Sequence, residues 1–143
     1  MGVLVTTDVL DPLAEVSAYQ QAHPELTGKF GGTAIFIGTM RDLNQGDRVE
    51  AMSLEHYPGM TEKYLEKVSQ EAAERWPILN SLVIHRVGKL RPNDPIVLVA
   101  VWSTHRVEAF DACQYIIDQL KTRAPFWKHE TVAEGRRWVE KNT

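Results

Sequence analysis

The stretch from Ile96 to Trp102, Ile-Val-Leu-Val-Ala-Val-Trp, constrains the fold of this chain more than any other feature. A continuous apolar run rich in β-branched residues is typical of a strand that is covered on both faces, so we expect it in the middle of a sheet. Strand pairs interleaved with helices elsewhere predict the α+β class, a mixed sheet with helices packed mainly on one face. At 143 residues, the chain is long enough for one domain with its own core, which we predict to span residues 1–143.

Apolar periodicity and turn residues divide the rest of the chain into further elements. The predicted strands are Val3–Thr6, Thr33–Thr39, Val49–His56, Leu82–Val87, Phe126–Thr131 and Arg137–Glu140. The predicted helices begin at Asp11-Pro12, run from Thr61 to about Trp76, and run from about His105 to Thr122. The polar segment from Arg41 to Arg48 contains a Gly-Asp pair and is predicted to be a mobile loop.

Composition excludes several classes of function. A net charge of −3 means that the surface as a whole will not attract nucleic acid or an anionic membrane. No run is long and apolar enough to span a bilayer, and the segment Met1 to Thr7 lacks the pattern of a secretory signal, so we expect a cytoplasmic protein. The histidines show no paired spacing and there is a single cysteine, so neither a metal site nor a bound cofactor is predicted.

The segment Lys121 to Glu130, Lys-Thr-Arg-Ala-Pro-Phe-Trp-Lys-His-Glu, is the best candidate for chemistry. Lys121 falls where a long helix ends, because Pro125 cannot continue it, and Lys128 can then fold back toward Lys121. Like charges held close together and partly shielded from water favour a neutral amine, which is a usable nucleophile or base. Two ordinary readings stay open: Lys121 complements the helix dipole, and Lys128 is a solvated strand residue.

Two further positions could hold an anion. Ser103-Thr104-His105-Arg106 lies where the central strand gives way to a helix, and free backbone N–H groups there attract phosphate. Arg41 follows the predicted strand Thr33–Thr39 and could bind phosphate in a bidentate manner. The alternatives are a capped helix with a solvated arginine and an ordinary loop arginine. Phe36, in the same strand, is expected to lie in the core.

Four stretches together resemble the family of large, catalytic subunits of molybdopterin synthase. They are Leu54-Glu55-His56-Tyr57-Pro58-Gly59-Met60, Ile84-His85-Arg86-Val87-Gly88, Ser103-Thr104-His105-Arg106 and Leu120 through Lys128. The resemblance implies an α/β-hammerhead fold of the α+β class. It also implies transfer of sulfur to cyclic pyranopterin monophosphate, which forms the dithiolene of molybdopterin. The sulfur would arrive as a thiocarboxylate on the C-terminal Gly-Gly of a small ubiquitin-like subunit, and a homodimer of large subunits would form the centre of a heterotetramer.

The resemblance also implies roles for single residues. Lys121 would be the reactive lysine and Lys128 the second essential lysine. Substrate phosphate and pterin would be bound by residues from both protomers. The implied binding residues are Thr39, Met40, Arg41, His105, Arg106, Lys121, Lys128, His129 and Glu130, with Phe36 as a pocket aromatic. We add the hypothesis that Lys128 and Arg123 lower the pKa of Lys121.

Cys113 bears on the source of sulfur. It lies among apolar residues of a predicted helix and is expected to be buried, so it is a poor carrier of persulfide, and sulfur must come from outside the chain. One alternative function is a non-catalytic adaptor that docks ubiquitin-like C-terminal tails. Another is a phosphoester-processing enzyme that uses His105, although the sequence shows no partner acid for it.

Overall fold

The computed structural model describes residues 1–44, 46–123, 126–132 and 135–139, and excludes the side chains at 43, 44, 47, 127–132, 135, 136 and 139. The helices in these ranges are α1 (Pro12–Ala22), α2 (Met60–Arg75) and α3 (Arg106–Arg123), with a short 3-10 helix at Pro24–Leu26. The strands are β1 (Gly2–Thr6), β2 (Gly32–Thr39), β3 (Leu43–Asn44), β4 (Asp47–His56), β5 (Ile78–Arg86), β6 (Gly88–Leu90), β7 (Pro95–Ser103), β8 (Phe126–Val132) and β9 (Gly135–Val139).

The first sheet has the strand order β1-β5-β7-β2. The β1–β5 pair is parallel and the other two pairs are antiparallel, so the sheet is mixed. Strand β7 lies between β5 and β2, and it is buried from Val97 to Ser103. The predicted central strand is therefore confirmed.

The two faces of β7 belong to two different cores. Val97, Val99 and Val101 pack with α2 and α3 on one face. Leu98, Ala100 and Trp102 pack on the other face in a core that includes Val16 of α1. Two of the three described helices thus share one face, and the α+β prediction is confirmed.

The second sheet corrects the prediction of a loop from Arg41 to Arg48. Its order is β3-β4-β8-β9, with β6 also paired to β4. The segment predicted as a mobile loop contains β3, which pairs with the start of β4. Gly46 has a φ of +81°, a conformation that glycine adopts without steric strain, and this permits a tight turn here. This sheet covers a third core built from Met40, Val49, Met52, Leu54, Val87 and Leu90.

The approach of α3 to β2 is set by Gly31. Its N–H donates to the carbonyl of Ser103 at 2.9 Å. A Cβ at Gly31 would lie 2.3 Å from the carbonyl oxygen of Thr104, far inside contact distance. Gly32 follows and lies beside Arg106, the first residue of α3. Helix α3 therefore starts beside the start of β2 and runs in the same direction along it.

We predict that Gly31→Ala lowers the free energy of unfolding by about 1–3 kcal/mol, because the new methyl group overlaps a backbone oxygen that cannot move freely. Gly32→Ala is the matched control, since a Cβ there would lie 3.7 Å from its nearest neighbour, an ordinary contact. The control should change stability by no more than about 0.5 kcal/mol. Urea denaturation measures both variants, and equal losses of stability would contradict the steric argument.

Candidate active site

Lys121 lies in the last turn of α3, where that helix reaches the end of β2. Because α3 runs along β2 in the same direction, its C-terminal end meets the segment that follows the strand. Arg41 is on that segment and is close enough for its charge to act on the Lys121 amine. These two residues are 80 positions apart in the sequence, and the packing of α3 on β2 brings them together.

The pKa of Lys121 is lowered from its usual range. Burial is the main cause, because desolvation disfavours the charged ammonium, and the positive charge of Arg41 adds to it. The predicted direction of the shift therefore agrees with the structure. The neighbouring cation is Arg41, however, and Arg123 is not the source of the shift. The side chain of Lys128 lies outside the described residues.

Arg123 points away from Lys121. Two residues along a helix correspond to a rotation of about 200°, so the two side chains leave α3 on opposite sides. The guanidinium of Arg123 donates to Gln119 Oε1 at 2.6 Å and lies over the ring of Tyr64 in α2, 5.7 Å from the ring centre. Arg123 thus faces α2, whereas Lys121 faces Arg41.

Arg41 is positioned by its neighbour Met40. The N–H of Met40 donates to the carbonyl of Asp94 at 2.9 Å, and the N–H of Asn93 donates to the carbonyl of Met40 at 2.8 Å. The side chain of Met40 is buried in the third core, while Thr39 and Arg41 on either side are exposed. The chain leaving β2 is therefore fixed at Met40, which presents Thr39 and Arg41 to solvent.

Asp94 helps to position Arg41, and the sequence did not predict this role. Its carboxylate accepts from the N–H of Arg91 at 2.9 Å and forms an ion pair with Arg86 at 3.6 Å. These contacts fix the turn whose backbone holds Met40. The residues Pro92, Asn93 and Asp94 favour a turn by their types, but no local pattern predicts the contact of this turn with the end of β2.

His105 and Arg106 lie at the opposite end of α3. Both side chains are exposed, and the N–H of Ala109 donates to the carbonyl of His105 at 3.4 Å, as expected at a helix start. Fifteen positions separate Arg106 from Lys121 along this helix, which corresponds to about 22 Å along the axis. One chain therefore does not bring His105 and Arg106 to the amine of Lys121.

Phe36 is not a core residue. Strand β2 is an edge of the first sheet, and the side chain of Phe36 is 36% exposed. Its neighbours Ile35 and Ile37, which point to the other face, are exposed as well. The apolar pattern of β2 predicted burial because it is typical of a strand inside a sheet. In the structure β2 has a neighbouring strand on one side only.

Strand β8 carries three of the predicted site residues. Its backbone places Lys128 opposite Leu54 of β4 and Glu130 opposite Met52, with His129 between them. The side chains of Lys128, His129 and Glu130 lie outside the described part of the chain. Leu54 and Met52 belong to the same core as Met40, so β8 and the segment carrying Arg41 border one cluster.

The start of β8 is fixed by a buried histidine. His85 stacks on Phe126 with ring centroids 3.9 Å apart, and its Nδ1 lies 2.9 Å from the carbonyl of Arg86. His85 is 3% exposed, which fits a structural residue rather than a ligand for substrate. Sequence analysis did not assign this contact, since the two residues are 41 positions apart.

Cys113 is buried in α3, and burial raises the pKa of its thiol to about 11. The thiol donates a weak hydrogen bond to the carbonyl of Val99 at 3.7 Å. A protonated, enclosed thiol is a poor nucleophile. The predicted burial of Cys113 is confirmed.

Other places where a ligand could bind are remote or lack the right residues. A surface cleft of about 750 Å³ lies between the start of β1 and α2, and it contains none of the predicted site residues. Within the described ranges, no group of three His, Cys, Asp or Glu side chains could hold a metal ion. The described helices also include none that is long and apolar enough to cross a membrane.

Comparison with known proteins identifies relatives over nearly the whole chain. The molybdopterin synthase catalytic subunit of Ralstonia nicotianae is 56% identical over 127 residues, covering 89% of this chain and 70% of that protein. The protein of the same description from Pseudomonas aeruginosa is 50% identical over 140 residues, covering 98% of this chain and 91% of that protein. The structure of the molybdopterin biosynthesis MoaE protein from Burkholderia ambifaria is 48% identical, with a TM-score of 0.82, and covers 99% of this chain and 90% of its own.

The family match includes both ends of the α3–β2 packing that forms the candidate site. The family model described as MoaE protein matches residues 5–123, from β1 through the last residue of α3. Together with the relatives at 50% identity and above, this match shows that the chain belongs to the MoaE protein family.

Proposed function

We propose that this chain is the catalytic subunit of a molybdopterin synthase. It transfers sulfur from the C-terminal thiocarboxylate of a small ubiquitin-like subunit to cyclic pyranopterin monophosphate, and the product carries the dithiolene of molybdopterin. The relatives described as molybdopterin synthase catalytic subunits support this assignment.

The observation that carries the proposal is the partly buried amine of Lys121 beside Arg41. A lysine with a lowered pKa holds a larger neutral fraction near neutral pH than a solvated lysine does. A neutral amine can accept a proton from a reacting group or attack an acyl carbon, and a protonated one can donate to a leaving group. Lys121 is thus suited to proton transfer or transient acyl binding during sulfur transfer.

The charge around Lys121 suits anionic reactants. A thiocarboxylate and a phosphate are both negative, and Arg41 supplies a fixed positive charge at the edge of the site. An anion that enters beside Lys121 offsets the effect of Arg41 and favours the protonated amine, so arrival of the substrate promotes proton uptake by Lys121. Arg41 thereby orients the reactants, while Lys121 handles the proton.

A second protomer completes the site in this proposal. His105 and Arg106 lie about 22 Å from Lys121 along α3, so they serve the Lys121 of a neighbouring copy. The same edge of the molecule carries exposed apolar side chains, which we call the apolar edge: Ile35, Phe36 and Ile37 of β2 with Val107 and Phe110 of α3. An exposed, apolar edge strand favours association with another chain. A two-fold axis near the middle of this edge would place the start of one α3 beside the end of the other.

The source of sulfur is external to this chain. The enclosed thiol of Cys113, with its raised pKa, is unsuited to form and pass on a persulfide. A thiocarboxylate brought by the partner needs no cysteine in the catalytic subunit. The roles of Lys128, His129 and Glu130, the cytoplasmic location and the single-domain organisation stay predictions from the sequence.

The first prediction concerns Lys121→Met. This variant should lose sulfur transfer by about 10²-fold or more, since no other group replaces the amine. Its free energy of unfolding at neutral pH should be unchanged or higher. Because the folded state lowers the pKa of Lys121, the unfolded chain binds that proton more tightly, and the native lysine destabilises the fold at pH values below its pKa.

Lys67→Met removes an exposed lysine of α2 and serves as the matched control. It should retain activity and show ordinary stability. Mass spectrometry of the dithiolene product and urea denaturation measure the two quantities. Near-normal turnover by Lys121→Met, with the partner still bound, would reject catalysis by Lys121.

The second prediction concerns pH. If the neutral amine of Lys121 is required, kcat/KM, which reports the groups of the free protein, rises with pH up to the lowered pKa of Lys121 and levels off above it. Arg41→Gln removes a positive charge that lowers this pKa, so the rising limb should move to higher pH. Lys67→Gln should leave the limb in place, because Lys67 is an exposed cation of α2 outside the candidate site. A shift in Lys67→Gln, or none in Arg41→Gln, would show that the wrong cation has been assigned.

The third prediction tests whether the site needs two protomers. Lys121→Met and Arg106→Ala should each be inactive at low substrate concentration. When the two variants are co-expressed in equal amounts, random pairing gives half heterodimers, and each heterodimer has one intact site. About a quarter of the wild-type activity should therefore return. No recovery in verified heterodimers would mean that Arg106 and Lys121 act within one chain, and normal activity of Arg106→Ala alone would remove Arg106 from the site.

A further inference from the structure

The last turn of α3 is attached to α2 by a cation–π contact. The guanidinium carbon of Arg123 lies 5.7 Å from the centre of the Tyr64 ring, within the range of an attractive contact. The hydrogen bond from Arg123 Nη1 to Gln119 Oε1, at 2.6 Å, fixes the plane of the guanidinium. Tyr64 lies in the second turn of α2 and packs partly against the core shared by the two helices.

The aromatic ring of Tyr64, rather than its hydroxyl, makes this attachment. The hydroxyl oxygen is buried and has no hydrogen-bond partner among the described residues. Burial raises the pKa of Tyr64, so the side chain is neutral and offers Arg123 the face of its ring. Phenylalanine could therefore replace Tyr64 without loss of the contact.

The start of α2 also reaches the strand that precedes Lys128. The carboxylate of Glu62 accepts from the N–H of Gly59 at 2.8 Å and lies 3.8 Å from His56 Nε2. His56 ends β4 and is paired with Phe126, the first residue of β8. The turn from His56 to Met60, which stood out in the sequence without an assigned role, thus links α2 to the sheet that carries Lys128.

We propose that Tyr64 and Arg123 form a positioning pair that holds the last turn of α3 against α2 and thereby directs Lys121 toward Arg41. The inference rests on the proposed function for its kinetic consequences, although its geometric consequence can be measured without substrate. Neither residue touches the reacting atoms in this scheme. Arg123 acts through the helix backbone, since it leaves α3 on the side opposite Lys121.

A second cation–π pair at the other end of the same helix pair provides a matched control. Arg75 of α2 lies 4.6 Å from the centre of the Tyr115 ring in α3, and the Tyr115 hydroxyl donates to Glu71 at 3.3 Å. This pair joins the same two helices through the same residue types. Tyr115 is six positions from Lys121 along α3, so this second pair should stabilise the contact between the helices without positioning the amine.

The test compares Tyr64→Leu, Tyr64→Phe and Tyr115→Leu, with thiocarboxylated carrier subunit and pterin substrate. Tyr64→Leu should lower kcat about 10-fold with little change in KM, since substrate-binding groups stay in place while the amine is displaced. Tyr64→Phe should keep the wild-type kcat. Tyr115→Leu should lose as much stability as Tyr64→Leu in urea denaturation but keep its kcat.

A second readout does not depend on the proposed reaction. NMR titration of the Lys121 side chain should show a pKa closer to the ordinary lysine value in Tyr64→Leu, because a loosened last turn admits water. The charge of Arg123 is retained in this variant, so charge removal cannot cause the change. If Tyr64→Leu folds poorly, Arg123→Leu can be titrated in its place, because Arg123 is exposed and its replacement should disturb folding less.

Two results would overturn the positioning pair. One is an unchanged kcat and Lys121 titration in both Tyr64→Leu and Arg123→Leu. The other is an equal loss of kcat in Tyr115→Leu, which would indicate a general effect of stability. A wild-type protein that forms no dithiolene product would instead reject the proposed function, and the Lys121 titration would still decide whether the pair positions the amine.

Discussion

The packing of α3 across β7 and β2 is the interaction on which the rest of the structure depends. It buries one face of the central strand, and it sets which residues meet at each end of the helix. Gly31 permits the close approach at the start, where any side chain would overlap the carbonyl of Thr104. At the far end, the same packing brings Lys121 to Arg41. A displacement of the helix by one turn, about 5.4 Å, would separate the two cations and remove part of the pKa shift.

The site is built at the expense of stability. Partial burial of Lys121 beside Arg41 disfavours the folded state, because desolvation and like-charge repulsion both act against the ammonium. The surrounding structure compensates with apolar packing along α3 and with the fixed turn that holds Met40. Negatively charged reactants would relieve the repulsion on binding, so part of the intrinsic binding energy compensates for strain present in the free protein.

How far the sequence predicted this arrangement depended on the range of the interactions. Local patterns predicted the three helices and the strands other than β3 and β6, with the buried Ile96–Trp102 strand and the burial of Cys113, because periodicity and residue type report directly on burial. The direction of the Lys121 pKa shift was predicted from like charges held close together and partly shielded from water. The neighbouring charges were predicted to be Lys128 and Arg123, whereas the charge described beside Lys121 is that of Arg41, which only the packing of α3 on β2 brings near.

The short range of sequence patterns also explains the other differences between the predicted and the observed structure. The apolar residues of β2 predicted a core strand, yet strand order puts β2 at an edge and leaves Phe36 exposed. The polar composition of the segment from Arg41 to Arg48 masked a short hairpin. Strand order is a property of the whole fold, so no local pattern could have revealed it. The four stretches that carried the family resemblance did indicate the correct family, and they include the positions of Lys121 and Arg106.

Association of two copies would both cover the apolar edge and bring together the site residues that lie at opposite ends of α3. An exposed apolar edge strand is a liability, because it can pair with other chains without control. In a dimer with two-fold symmetry, the apolar edge of one copy packs against the apolar edge of the other in the opposite direction. Residues at one end of the edge in one copy therefore lie opposite residues at the other end in the partner. Arg106 of one copy would then lie beside Lys121 and Arg41 of the next. Three cations gathered in this way repel one another unless an anion lies between them. The association that covers the apolar edge would therefore also create a site that binds a phosphate or a thiocarboxylate.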